Sequence, residues 1–318
     1  MEVIGKNPCR ICGAAQASFL LESGGARLLR CPVCDIVWLN PMPGEEELRR
    51  FYASEEIEIP ESADLNVHKR LLKMIQTSAG KKDKDLVDIG AWFGGFLNVA
   101  KADGYNVAGI EPNKTACEYA RKNLSIEMVN GTIGDALVRY GKGRFGIATM
   151  FHVIEHVRDP EARLKEAGEL LRKNGMLFIR TPNINAALFG VFGRHWGHLA
   201  LPQHLFLFSP RSIGFVLRKA GFEVVSCSTV CSPNVNEVFE SIKCFLKIAG
   251  VRSFAVSLNK TGQKAQSRPR ASVGVMPGLK GFVNNITRPI MFLSGPFWGH
   301  LSRKGLGSEL FVAARRVF

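Results

Sequence analysis

Several familiar marks are missing from these 318 residues. No uninterrupted apolar run reaches the roughly eighteen residues that a membrane-crossing helix needs, so no spanning helix is expected. Met1 to Pro8 has no apolar core, so no secretory signal is expected ahead of the first cysteine. The glycine-rich stretch near residue 90 has neither the spacing of a dinucleotide loop nor the Gly-Lys-Ser/Thr of a P-loop, which sets aside both nucleotide classes. Acidic residues are also short: 28 Asp and Glu face 42 Lys and Arg, for a net charge of +14. Otherwise the composition is that of an ordinary globular chain, 46% apolar and 22% charged. The length suits one large or two modest domains.

Eight cysteines are present, and four of them form the pairs Cys9-Arg-Ile-Cys12 and Cys31-Pro-Val-Cys34, eighteen residues apart. Two such knuckles place four thiolates around one zinc, and four thiolates leave no open position for catalysis. A structural zinc ribbon is therefore expected, with short strands at Phe19 to Leu21 and Arg27 to Arg30. Cysteines used in this way, without a signal segment, suit a cytoplasmic protein. Asn40-Pro-Met-Pro-Gly44 ends the ribbon, and Glu45 to Tyr52 has the acidic first turn of a helix. Residues 53–64 read as a polar linker or lid, and Val67 to Ile75 resumes a helical pattern.

From Asp85 onward apolar strands alternate with helical segments, which predicts a parallel sheet with helices on both faces. Strands are expected at 85–90, 106–111, 126–129, 145–151, Met176 to Arg180, Phe222 to Val230 and Glu309 to Val317. Asp159-Pro160 opens a helix that runs to Leu171, and Lys173-Asn174-Gly175 closes it. The stretch Asp85 to Asn113 organises the rest. Its first strand carries Asp88, its second ends on Glu111, and Gly90, Gly94 and Gly95 lie between them. Such glycines let backbone approach a ligand at the carboxyl ends of parallel strands.

Asp88-x-Gly90 with Gly94 resembles motif I of the class I S-adenosylmethionine (SAM) methyltransferases, with Trp92 where the motif has its middle glycine. Four further stretches resemble the same family in the same order: Glu111, Gly131-Thr-Ile-Gly-Asp135, Phe151-His-Val-Ile-Glu-His-Val-Arg-Asp-Pro160, and the helix-glycine-strand run that ends Thr181-Pro182. The fourth resembles the ubiquinone-biosynthesis O-methyltransferases in particular. Gly146 departs from the many relatives that carry Asp there. The resemblance implies an α/β fold with a Rossmann-like seven-stranded methyltransferase sheet over 85–230, completed by a last strand within 305–318. Ahead of it stand the zinc ribbon (1–44) and a helical linker or lid (45–84), and a helical basic insertion (231–304) precedes the last strand. It also implies a SAM site of Asp88, Gly90, Gly94, Glu111, Ile133, Asp135 and Phe151, with Glu111 on the ribose hydroxyls and Ile133 and Asp135 beside the adenine.

Methyl transfer to a hydroxyl calls for a base, and the histidines supply candidates: His152, His156 and His204. The family's Glu-x-x-Glu-His run holds a divalent metal, and the matching positions here are His152, Glu155 and His156, a set shifted away from Mg²⁺. Alternatively Glu155 and His156 brace the loop before the Asp159 helix. Trp196 with Phe189, Phe192, Phe206 and Phe208 could wall an acceptor, or simply pack on the sheet. The insertion holds eleven Lys and Arg against two Glu, about +9 of the total. It suits an anionic membrane surface at the inner membrane face, a lipid-linked substrate, RNA, or a solvated cap or dimer contact. The reading is a SAM-dependent methyltransferase acting at oxygen on a small, sugar-linked or lipid-linked acceptor. The alternative is a zinc-ribbon RNA methyltransferase, though no Asn/Asp-Pro-Pro-Phe/Tyr follows the fourth strand. A third reading, a SAM-less adaptor, sits poorly with Asp88, Gly90, Gly94 and Glu111 together.

Overall fold

A computed structural model describes residues 3–4, 8–23, 25–53, 65–80, 83–230 and 295–317. The amino-terminal part supplies β1 (Val3–Ile4), β2 (Ala17–Ser23), β3 (Ala26–Arg30) and β4 (Val37–Asn40), each antiparallel to the next. Two of these match the expected ribbon strands; β4 is an addition, made by the apolar Val37-Trp38-Leu39, all buried. Helices α1 (Glu45–Ala53) and α2 (Leu65–Ala79) follow. Leu71, Leu72 and Ile75 of α2 are buried, the one-sided spacing expected of a surface helix.

The core begins with β5 (Asp85–Ile89), α3 (Gly95–Ala102), β6 (Asn106–Glu111), α4 (Lys114–Leu124), β7 (Glu127–Asn130), α5 (Ile133–Tyr140) and β8 (Phe145–Phe151). After a single helical turn at Ile154–His156 come α6 (Pro160–Leu170), β9 (Leu171–Pro182), α7 (Ala187–Phe192), β10 (Phe206–Leu207), α8 (Pro210–Lys219) and β11 (Phe222–Val230). The chain closes with α9 (Gly295–Arg303) and β12 (Glu309–Arg316). Local chemistry sets the helix starts. Asn113 and Asp159 accept the Ala116 and Ala162 N–H groups, and Ser209 caps α8 with Pro210 in its first turn.

The second sheet has seven strands in the order β11-β12-β9-β8-β5-β6-β7. Its β9-β8-β5-β6-β7 part is parallel, and β12 inserts antiparallel between β9 and β11. This is the seven-stranded arrangement that the sequence predicts. Strand β5 lies between β8 and β6, so the chain's winding reverses there and a crevice opens at its carboxyl end. Strand β9 is longer than expected, because Leu171 already pairs with Phe145. Arg172 to Gly175 therefore lead the strand rather than close the helix, which stops at Leu170, and Asn174 absorbs the bend at φ +63°.

The ribbon is not a separate bead. Strand β10, from deep in the core sequence, pairs antiparallel with β4 and completes the first sheet as Phe206↔Trp38 and Leu207↔Val37. One buried apolar cluster runs from Ile11, Leu28 and Trp38 through Phe206 and Phe208 to Leu177. Phe206 and Phe208 thus belong to this shared core, not to an acceptor wall, because their strand faces the ribbon. A chain boundary near residue 44 separates sequence, not packing. Within 231–304, the amphipathic stretch Val238 to Val251 and the polar 261–272 segment lie outside the described residues. No described helix is long and apolar enough to cross a membrane.

Candidate active site

The crevice beside β5 holds a cavity of about 570 Å³ lined by Asp88, Gly90, Trp92, Phe96, Phe151, His152 and Arg180, among others. Its floor is the loop after β5. Gly90 and Gly94 both sit at φ +78°, where a side chain is strained. A Cβ on Gly90 would also run into Val153, and one on Gly94 would crowd Ile126 and Ala120 at 3.1 and 3.2 Å. Trp92, at the irregular motif position, takes φ +49° and stays 45% exposed, its ring edge-on to Phe93. The turn therefore keeps its left-handed backbone without the glycine. Gly146, the second departure, has a matching cause: a Cβ there would collide with the Asp83 carboxylate, which already fills the space and pairs with Arg172.

Two carboxylates flank this loop without a cationic side chain as partner among the described residues. Asp88 is 4% exposed and accepts the Thr149 hydroxyl at 2.6 Å from the neighbouring strand. Burial pushes its pKa up to about 7, against the pull of Thr149 and with help from the charge of Glu111. Glu111, 5% exposed, accepts the Trp92 N–H at 3.0 Å on one oxygen and the Asn113 N–H at 2.9 Å on the other. Burial raises its pKa too, and the two N–H donors hold it back. Phe151 meets Phe96 edge-on at 5.1 Å and walls the cavity. Ile133 is instead buried in the core, and Asp135 spends its carboxylate on the Thr132 N–H and hydroxyl at 2.7 and 2.8 Å, capping α5.

The histidines separate into two groups. His152 lines the cavity and sits at φ +54°. Its Nδ1 lies 3.2 Å from Glu155 and its Nε2 3.0 Å from Glu309, so both ring nitrogens donate to buried carboxylates. Burial alone would lower its pKa, but these two partners raise it to about 9. His152 is thus an imidazolium with no lone pair to offer, either to a proton or to a metal. The expected His152, Glu155 and His156 metal set does not fit for that reason. Arg180 donates to the other Glu309 oxygen at 2.9 Å, and Thr181 donates to Glu155 at 2.9 Å. Arg180, Glu309, His152 and Glu155 form an alternating chain of charges, with Glu155 and Glu309 both lowered to about 2 against the cost of burial. Sequence reasoning missed Arg180, Thr181 and Glu309: the parallel pairing of β8 with β9 sets Arg180 beside Phe151 and Thr181 beside Glu155, and the antiparallel register of β12 on β9 then brings Glu309 to His152.

His156 and His204 stand on the far side of Glu155, and neither lines the cavity. Their rings meet edge-on at 4.7 Å. Each donates Nδ1–H to a backbone carbonyl, His156 to Gln203 at 3.1 Å and His204 to His198 at 2.8 Å, so Nε2 is the basic nitrogen in both. Burial lowers the pKa of His204 to about 4, which makes it a weak base. A stack connects the regions: His152 lies parallel to His198 at 6.5 Å, and His198 meets the buried Trp196 at 5.3 Å. Trp196 borders a second cavity, about 560 Å³, between the ribbon and residues 194–202. At the ribbon, the four cysteines come together, with Sγ separations of 3.6 Å (Cys9 and Cys34) and 3.5 Å (Cys12 and Cys31). The Val33 and Cys34 N–H groups both point at Cys31 Sγ at 3.4 Å, the hydrogen-bond pattern of a tight Cys-x-x-Cys knuckle.

A family model described as "Methyltransferase domain" matches residues 63–227. The ubiquinone biosynthesis O-methyltransferase of Pseudomonas aeruginosa strain UCBPP-PA14 is 30% identical over 191 residues, covering 56% of this chain and 81% of that protein. The enzyme of the same description from Aromatoleum aromaticum is 28% identical over 163 residues, 48% of this chain and 69% of that protein. Among solved structures, a methyltransferase from Galdieria sulphuraria aligns with a TM-score of 0.50 at 11% identity, covering 84% of this chain and 97% of that one. That likeness shows the fold alone.

Proposed function

This chain belongs to the SAM-dependent methyltransferases, and from that premise we propose that it methylates a hydroxyl oxygen of a small, lipid-like acceptor. The observation that carries the cofactor half is the pair Asp88 and Glu111, two buried carboxylates at the strand ends with only neutral donors around them. A cofactor with an ammonium, a sulfonium and two ribose hydroxyls supplies the missing positive charge and the missing donors. SAM brings the electrophilic methyl group; the chain orients the acceptor and keeps water from the reacting pair. Phe96, Phe151 and Trp92 do the latter from the cavity wall.

The choice of oxygen is supported by the relatives, both named as O-methyltransferases. His152, both of whose ring nitrogens donate to Glu155 and Glu309, acts in this reading as a fixed part of the cavity wall beside the acceptor, not as a base, and the acceptor's proton leaves to solvent. The four cysteines hold one structural Zn²⁺ in this reading. Labelled-methyl transfer from SAM into separate lipid, glycan and RNA extracts tests the proposal. Label in an alkali-stable ether of the lipid fraction is expected. Label confined to RNA would overturn the acceptor class, and absence of SAM binding by calorimetry would overturn the cofactor reading.

A further inference from the structure

Among the described residues that line the crevice cavity, Arg180 is the sole arginine or lysine. Strand β9 carries it beside Phe151, at the carboxyl end of the parallel strands. The sheet order β9-β8-β5-β6 sets its strand two places from that of Asp88 and three from that of Glu111. At about 4.8 Å per strand, these backbones lie about 10 Å and about 14 Å apart across the sheet. The two carboxylates assigned to the cofactor thus stand on one side of the cavity, and Arg180 stands on the side left to the acceptor. Its guanidinium is held in place but not used up. Nε and Nη2 both donate to one oxygen of the buried Glu309, at 2.9 and 2.5 Å, while His152 meets the other oxygen at 3.0 Å. A guanidinium has five N–H donors, so three remain, two of them on Nη1. Among the described residues none accepts from these three. The side chain is 17% exposed, and the cavity is the open space that it borders.

We propose that Arg180 selects the acceptor, and that the acceptor carries a carboxylate held by the remaining edge of this guanidinium while its hydroxyl meets the methyl group. This rests on the proposed O-methylation and adds one charged group to an otherwise apolar acceptor. The Nε and Nη2 edge holds Glu309, and the Nη1 and Nη2 end offers a parallel pair of N–H groups. Such a planar fork matches the two oxygens of a carboxylate in a bidentate contact. Because Glu309 already fixes the guanidinium, little side-chain freedom is left to lose on binding. The surroundings leave an anion no better partner. Phe96 and Phe151 offer no hydrogen bond from their side chains, and both ring nitrogens of His152 already face carboxylates.

The test uses the full-length protein saturated with S-adenosylhomocysteine and titrated by calorimetry with benzoate and with its neutral counterpart, benzamide. Benzoate is expected to bind at least tenfold more tightly. Arg180→Lys, which keeps a cation on Glu309 but not the fork, should cut that preference at least fivefold without weakening benzamide. A residue that only braces the fold would weaken both probes alike. Equal binding of the two probes by the wild type, failure of benzoate to bind, or a preference that survives Arg180→Lys would overturn the proposal. So would a loss of S-adenosylhomocysteine affinity in Arg180→Lys that 5′-methylthioadenosine does not share, because the guanidinium would then hold the cofactor's own carboxylate. The labelled lipid product of wild-type methyl transfer separates this proposal from the O-methylation on which it rests. That product should bind an anion exchanger at neutral pH and leave it at about pH 3, where a carboxyl group is protonated. A labelled ether that passes the exchanger leaves O-methylation standing and overturns the carboxylate.

Discussion

Two pairs of buried carboxylates stand at the same end of one sheet and are treated in opposite ways. Glu155 and Glu309 face His152 and Arg180, and their pKa values fall to about 2. Asp88 and Glu111 face a hydroxyl and two amide N–H groups, and both are raised, Asp88 to about 7. Burial alone makes neither pair functional. What separates them is whether the fold itself supplies the counter-charge. The first pair is complete within the chain and reads as scaffold. The second has no cationic partner among the described residues, which is what the proposed cofactor would supply. Perturbed carboxylates mark candidate sites in general, and in the proposed reading Asp88 and Glu111 are the pair that binds.

The sharpest way to break this contrast is to remove one member of the scaffold chain. Glu309→Ala leaves Arg180 and His152 facing each other with no anion between them, and loss of one partner from a buried pair costs about 3–5 kcal/mol. Urea unfolding should show a loss of that order, while SAM binding to the folded fraction changes little. A loss below about 1 kcal/mol would mean that the quartet is ornamental.

Next in size is Glu111→Gln in the binding pair. The amide oxygen still accepts from Trp92 or Asn113, but the amide NH₂ faces the other N–H; that loss of about 1–3 kcal/mol is offset by no longer burying a charge, so stability should fall by less than in Glu309→Ala. Hydrogen bonds to a charged group are worth about 1.5–3 kcal/mol, and each 1.4 kcal/mol is about tenfold in affinity. Calorimetry should therefore show SAM affinity falling on the order of 100-fold. Equal damage to stability in both variants would erase the distinction between scaffold and site.

pH separates the pairs without mutation. His152 is raised from 6.5 to about 9, so its stabilisation is fully present below 6.5 and is lost as pH rises through 9. Glu155 and Glu309 are lowered from 4.5 to about 2, so their stabilisation is present above 4.5 and is lost as pH falls toward 2. The scaffold is strongest between those limits. Asp88 runs the other way for a carboxylate: raised from 3.8 to about 7, it favours the folded state at low pH and loses that contribution as pH rises through 7. Binding a cation beside it should then release a proton near neutrality. SAM-binding enthalpies in buffers of different ionisation enthalpy should differ for the wild type, and Asp88→Asn should make them converge. Wild-type enthalpies that are already independent of buffer would count against Asp88 as the titrating group.

The binding pair was readable from residue order, and the scaffold pair was not. Asp88 and Glu111 end consecutive strands of one alternating unit, so local pattern alone puts them together. Glu309 reaches His152 only through the register of a strand that inserts antiparallel after more than a hundred intervening residues. Nothing near Glu309 in the chain announces that contact. The same limit explains Phe206 and Phe208, whose aromatic character suggested an acceptor wall until β10 was seen completing the ribbon sheet. His152, expected from the sequence as a candidate base, does line the cavity. Its charge state depends on Glu309 as well as on the nearby Glu155, and the distant partner is what the sequence could not show.

Trp92 carries the smallest expected effect and probes the binding side of the contrast most finely. A left-handed backbone costs a residue with a Cβ about 1–2 kcal/mol, and Trp92 bears that at φ +49° with nearly half its surface exposed. Glycine removes the strain but loses more freedom on folding, about 0.5–1 kcal/mol, so Trp92→Gly should shift stability by no more than about 1 kcal/mol, toward greater stability. The Trp92 N–H that holds Glu111 is backbone and survives the change. If the indole is a cavity wall and nothing else, SAM affinity should fall only a few-fold while Glu111 keeps its place. A loss approaching that of Glu111→Gln would show that the indole itself holds the ligand, and that neutral walls matter here as much as unpaired charge.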